Sequence, residues 1–141
     1  MRKLKRMLLS IALVLLAGAC GVFALLLHHS PVFEKGERYE LYYGSSSSRM
    51  TVGANPVIDK LLSGKVTGES VRLSGDRREE LQARYQAELL FVEEACGVVN
   101  YYYYSPVLGG GVRLGEYAVN LHIAVSAEQT AAGTPLIFGG F

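Results

Sequence analysis

Two patterns of apolar and polar positions divide the chain. Residues 7–27, MLLSIALVLLAGACGVFALLL, run for 21 positions without a charge, whereas beyond residue 34 short apolar stretches alternate with polar ones. As a helix the first run would span roughly 32 Å at about 1.5 Å per residue, enough for a hydrocarbon core of about 30 Å. Arg2, Lys3, Lys5 and Arg6 precede it, and only His28 and His29 follow. The excess of positive charge before the run predicts a cytoplasmic basic stub over residues 1–6 and a transmembrane helix or signal anchor over 7–27. A linker over 28–37 then leads to an extracytoplasmic domain over 38–141, on a single-pass protein of the cytoplasmic membrane. Two other fates of the segment stay open: cleavage after Ala17-Gly18-Ala19, and lipidation of Cys20. Against lipidation, Ala17 stands where that signal usually has leucine, and the chain stays apolar through Leu27.

The domain is organised around residues 87–106, AELLFVEEACGVVNYYYYSP. Their β-branched and aromatic richness predicts strands over 88–94 and 98–105, with a turn at Ala95-Cys96-Gly97. Before them, residues 38–43 form a strand candidate, and Gly44 with the serines 45–48 a loop that lacks a phosphate-binding lysine. Asn55 is placed to cap a short helix that Pro56 opens and Gly64 stops, with Val57, Ile58, Leu61 and Leu62 as its apolar stripe. Residues 66–73 form a weaker strand, interrupted by Gly68. Asp76 and Glu79 have the spacing of a capping box and start the main helix, with Leu81, Tyr85 and either Ala83 or Leu89 facing the core and Arg77, Arg78, Glu80, Gln82 and Arg84 in water.

Past the hairpin, Gly109-Gly110-Gly111 is a loop, 112–114 a strand stub and Gly115-Glu116 a two-residue turn. Residues 117–126 make the clearest strand, and 131–138 the last, where Pro135 argues for an edge or a bulge. The fold class that follows is α+β: an antiparallel β-meander with a helix packed on one face, after an N-terminal transmembrane helix.

Charge narrows the function. Four of the 14 basic residues precede the apolar run and all 13 acidic ones follow it, so the domain carries about −3. That balance excludes the basic footprint of a nucleic-acid binder. Cys96 is the single cysteine beyond the apolar run, so the domain holds no internal disulfide; it reads as a small buried hydrophobe at a turn, with an intermolecular disulfide or a catalytic thiol as alternatives. No serine-hydrolase elbow, zinc-protease helix or cysteine cluster is present, and Glu93 and Glu94 are strand neighbours that point to opposite faces. No catalytic residue, metal ligand or cofactor follows from the sequence.

The two sheet faces are unequal. If the helix covers Val99, Tyr101, Tyr103, Leu121 and Ile123, the other face shows Asn100, Tyr102, Tyr104, Asn120 and His122. Amphipathic aromatics beside amides suit a recognition surface, here for an extracytoplasmic protein or an envelope component. The alternatives are that these side chains simply cover the sheet, or that a small envelope-acting enzyme uses His122 as general base.

Residues 119–125, VNLHIAV, followed by Gly133-Thr134-Pro135-Leu136-Ile137, resemble the carboxy-terminal end of the YwmB-like proteins of spore-forming Firmicutes. The resemblance runs over about residues 68–141. It implies an amino-terminal signal or anchor, a fold similar to the TATA-box-binding protein without its DNA binding, and an envelope or sporulation setting. The part before Val66 is too short for the first of that fold's two repeats.

Overall fold

A computed structural model describes residues 1–34, 36–44, 49–52, 56–62 and 65–139. The chain forms two compact units, Met1–Ser30 and Pro31–Phe141. The first is the helix α1, Arg2–His28. Its stretch Lys3–His28 is long and apolar enough to span a membrane or act as a signal anchor. The last turn leaves carbonyls without helical partners. Nδ1 of His29 meets the Leu25 carbonyl at 2.9 Å, and the Ser30 hydroxyl donates to Leu27 at 2.8 Å.

The second unit contains strands β1 (Arg38–Tyr43) and β2 (Arg49–Val52), helix α2 (Pro56–Leu62), strand β3 (Val66–Ser74) and helix α3 (Arg78–Arg84). Strands β4 (Glu88–Ala95), β5 (Val98–Tyr104), β6 (Val112–Leu114), β7 (Tyr117–Val119), β8 (Leu121–Val125) and β9 (Gln129–Thr134) follow. Seven strands form one antiparallel sheet in the order β2-β1-β3-β9-β8-β5-β4, and β6 and β7 make a separate hairpin. The α+β class and the antiparallel sheet therefore stand as expected. The joining pair was not foreseen: β9 lies between β3 and β8, paired with both, and so fuses the early and late strands into one layer.

The 88–105 hairpin forms as the pattern predicts. Its turn residues Cys96 and Gly97 both take positive φ, 54° and 76°, the conformation that matches the twist of flanking strands. Cys96 is exposed there, not the buried hydrophobe expected.

One sheet face supplies the core. Tyr39 and Leu41 of β1, Val71 of β3, Ala132 of β9, Leu121 and Ile123 of β8 and Tyr103 of β5 are buried in one cluster. Leu81 of α3, with Tyr85 and Ala87 after it, belongs to the same cluster. Each such large apolar side chain contributes about 1.5–3 kcal/mol on burial. The Arg78 guanidinium lies 5.0 Å from the centre of the Tyr101 ring, a cation–π contact.

Five local expectations need correction. The main helix is only Arg78–Arg84, because Gln86, at φ 49°, turns the chain out of it. Asp76 does accept the Arg78 N–H at 2.9 Å, but Glu79 pairs with the Arg78 guanidinium and does not complete the box. In α2, Ile58, Leu61 and Leu62 are exposed, so its stripe is not a core face; Asn55 and Gly64 lie outside the described residues, as do serines 45–48.

The 117–126 strand is broken at Asn120, which leaves β7 to pair with β6 and β8 to pair with β5 and β9. Finally, β9 is an interior strand that stops at Thr134, because Pro135 has no N–H to continue the ladder.

Candidate functional site

Strand register brings three rings together. Phe91 of β4 lies opposite Tyr102 of β5, and Tyr102 opposite His122 of β8. A register shift between Leu89 and Phe91 adds one residue to β4 and moves Phe91 into this row. Tyr102 stacks on His122 with centroids 4.5 Å apart and on Phe91 at 4.4 Å, both pairs tilted by 14°. Tyr117, at the start of β7, continues the row at 5.3 Å from Phe91.

The carboxy-terminal segment crosses the same face. Beyond the cis Thr134–Pro135 bond it turns back over the sheet, so that Phe138 meets the Tyr42 ring edge-on at 5.1 Å. Two glycines allow the crossing by having no Cβ. At Gly133 a Cβ would lie 2.6 Å from the Leu136 carbonyl oxygen, and at Gly68 it would lie 2.8 Å from the Phe138 ring. Gly68 does not interrupt β3; it is the place where the tail sits.

His122 is buried by this arrangement. The Ile137 N–H donates to Nδ1 at 3.3 Å, so the proton sits on Nε2, which donates to Oδ1 of Asn100 at 3.0 Å. Burial lowers its pKa from the usual 6.5 to about 4, and the ring is neutral at pH 7. With both nitrogens engaged, the imidazole is held as part of the packing and has no lone pair turned to a reactant.

Of the five residues read as a binding face, the structure brings together Asn100, Tyr102 and His122. Asn120 has another task. It is buried, accepts the Ser105 N–H at 2.6 Å, and donates to the Ser105 and Leu108 carbonyls at 2.8 and 3.0 Å. An amide is needed because the site presents one donor and two acceptors. Tyr104 stands 44% exposed opposite Glu88, outside the stacked row. The expectation of an open second face is corrected accordingly: the tail covers part of it, and His122 is only 8% exposed.

What stays open is a cleft of about 680 Å³. Its floor is Tyr102 and His122, with Phe91 and Glu93 of β4 on one side. The β6–β7 turn, Leu114 to Tyr117, forms a second wall, and Leu136 and Ile137 of the tail a third. Glu93 accepts the Tyr102 hydroxyl at 3.1 Å, and burial together with that bond raises the phenol pKa. Phe91, Tyr117, Glu116 and the tail residues were not among the expected site residues. The Gly115-Glu116 turn was legible, but neither its position beside β4 nor the returning tail leaves a local pattern.

A second polar cluster lies on the core side. The buried Glu69 carboxylate takes the Tyr39 hydroxyl, the Lys60 ammonium and, at 3.1 Å, the Val32 N–H. Burial and the neighbouring charge raise the Tyr39 pKa far above its usual range. These groups satisfy one another and tie α2 and the segment before β1 to β3. No protein-family model, curated protein or solved structure matches this chain.

Proposed function

We propose that this protein is a membrane-anchored interaction module of the cell envelope, with α1 as a retained single-pass anchor and the Pro31–Phe141 unit outside the cytoplasmic membrane. The orientation is supported by Arg2, Lys3, Lys5 and Arg6 before the apolar helix. The YwmB-like resemblance supports the envelope setting.

The observation that carries the binding role is the cleft above Tyr102 and His122, walled by three separate parts of the chain. Concave, mostly apolar sites with a few convergent polar groups are the usual form of ligand sites. Here Glu93, Glu116 and the tyrosine hydroxyls supply the polar groups. The engagement of both His122 nitrogens argues against a general base and for recognition.

Proximity labelling from the full-length protein in its own membrane tests this reading. Tyr117→Ser, at an exposed position on the cleft wall, should deplete the labelled partners while the melting temperature falls by no more than about 8 °C, the size of one lost ring contact with Phe91. An unchanged set of partners would assign the aromatic row to packing alone.

A further inference from the structure

The cleft has a sign, and an edge strand lines it. Among the described residues that line it, the acidic ones are Glu93 and Glu116, both exposed, and no lysine or arginine lines it. Aromatic faces stand beside them: Tyr102 is hydrogen-bonded to Glu93, and Tyr117 adjoins Glu116 in the chain. Carboxylates next to ring faces attract an amine or guanidinium, by ion pairing and by the quadrupole of the rings.

One wall of the cleft belongs to an edge strand. β4 is the last strand of the seven-stranded sheet on this side, and it contributes Phe91 and Glu93 to the cleft. Alternation places every second side chain of an added strand on that same face. β4 carries Glu88, Glu93 and Glu94 and no basic residue. A second copy of β4 would bring only further carboxylates and no base, whereas a basic segment would meet opposite charge.

We infer that the free edge of β4 accepts an extended basic segment of a partner protein as an additional strand, with one lysine or arginine side chain entering the cleft beside Glu93 and Glu116. The inference rests on the cleft being a recognition site. Main-chain pairing supplies most of the affinity, and the charged cleft selects the side chain. A bound segment also covers the exposed Leu89 and Val92 of β4 from the side.

The test uses the full-length protein in neutral detergent micelles and three blocked pentapeptides, Thr-Val-X-Val-Thr, with X as lysine, norleucine or glutamate. Ring resonances of Tyr102 and Tyr117 report the cleft, and amide exchange in β4 reports strand pairing. The lysine peptide should bind at least about tenfold more tightly than the norleucine peptide, weaken with salt and slow exchange in β4. The double variant Glu93→Gln, Glu116→Gln, at exposed positions, should remove the preference and keep the melting temperature. Equal binding of lysine and norleucine peptides, or ring shifts without protection in β4, would overturn the basic strand and leave the cleft as a binding site. Ring resonances unmoved by any of the peptides would overturn both readings.

Discussion

The backbone N–H of Ile137 donates to Nδ1 of His122 across 3.3 Å, so a residue at the end of the chain sets the tautomer of a ring in the middle of the sheet. The other nitrogen then has one role, donation to Asn100. The contact depends on the tail folding back over Gly133, and it makes one ionisable ring of the second face a neutral packing element.

A pH dependence follows with a definite sign. Folded His122 protonates near 4, whereas the unfolded chain protonates at the ordinary 6.5. Between those values the unfolded state binds more protons, so stability falls as the pH drops from about 6.5 towards 4. The full shift corresponds to at most about 3 kcal/mol. Chemical denaturation of the wild type and of His122→Gln across this window isolates the contribution from the carboxylates that titrate nearby. Parallel curves for the two proteins would mean that the ring is not held neutral.

Gly133→Ala should lift the tail. A Cβ there would lie 2.6 Å from the Leu136 carbonyl and 2.7 Å from the Ile137 nitrogen, both main-chain atoms that cannot move independently. We expect a loss of about 2 kcal/mol or more, of the size that overpacking causes. The His122 pKa should rise towards 6.5 in the same variant, as read by NMR titration of the ring. Loss of stability with the His122 titration unchanged would separate the tail from the burial of the ring.

Asn120→Ala should cost about 3 kcal/mol, because it leaves the buried Ser105 N–H and the Leu108 carbonyl without the amide and takes one of two donors from the Ser105 carbonyl. Asn120→Asp should not rescue it, since a carboxylate offers no donor to the Ser105 and Leu108 carbonyls. Denaturant midpoints of the two variants check this.

The two tyrosines read together from sequence should behave differently. Tyr102→Ala removes stacks on both Phe91 and His122, each of a kind worth about 0.5–1.5 kcal/mol beyond area burial. Tyr104→Ala, at a half-exposed position outside the row, should cost less than half as much and leave peptide binding unchanged. Thermal melts and the ring-shift titration distinguish them.

Glu69→Ala should destabilise the second unit by about 3 kcal/mol, because it removes the buried acceptor shared by the Tyr39 hydroxyl, the Val32 N–H and the Lys60 ammonium. Tyr39→Phe in that background should recover only a small part of the loss, since it deletes the donor that Glu69 accepted but leaves the Phe33 N–H without the hydroxyl it donates to. A melting curve indifferent to both changes would show that the cluster is solvated in solution.

The α+β class, the apolar segment long enough to span a membrane, the 88–105 hairpin and the split of tyrosines between two faces were all legible in the sequence. Each rests on a local rule: run length against bilayer thickness, β-branched and aromatic enrichment, glycine at a turn, or the two-residue alternation of a pleated strand. What the tertiary structure decided was long-range. The pairing of β9 with β3, the break at Asn120, the return of Leu136 to Phe138 across Gly133 and Gly68, and the meeting of Tyr117 with Phe91 join positions far apart in the chain or dependent on a chain reversal. Such contacts are chosen by the packing of the whole sheet and leave no period in the residues that make them. For that reason Asn120 and His122 looked exposed when read along a strand, and are buried once the rest of the chain has closed over them.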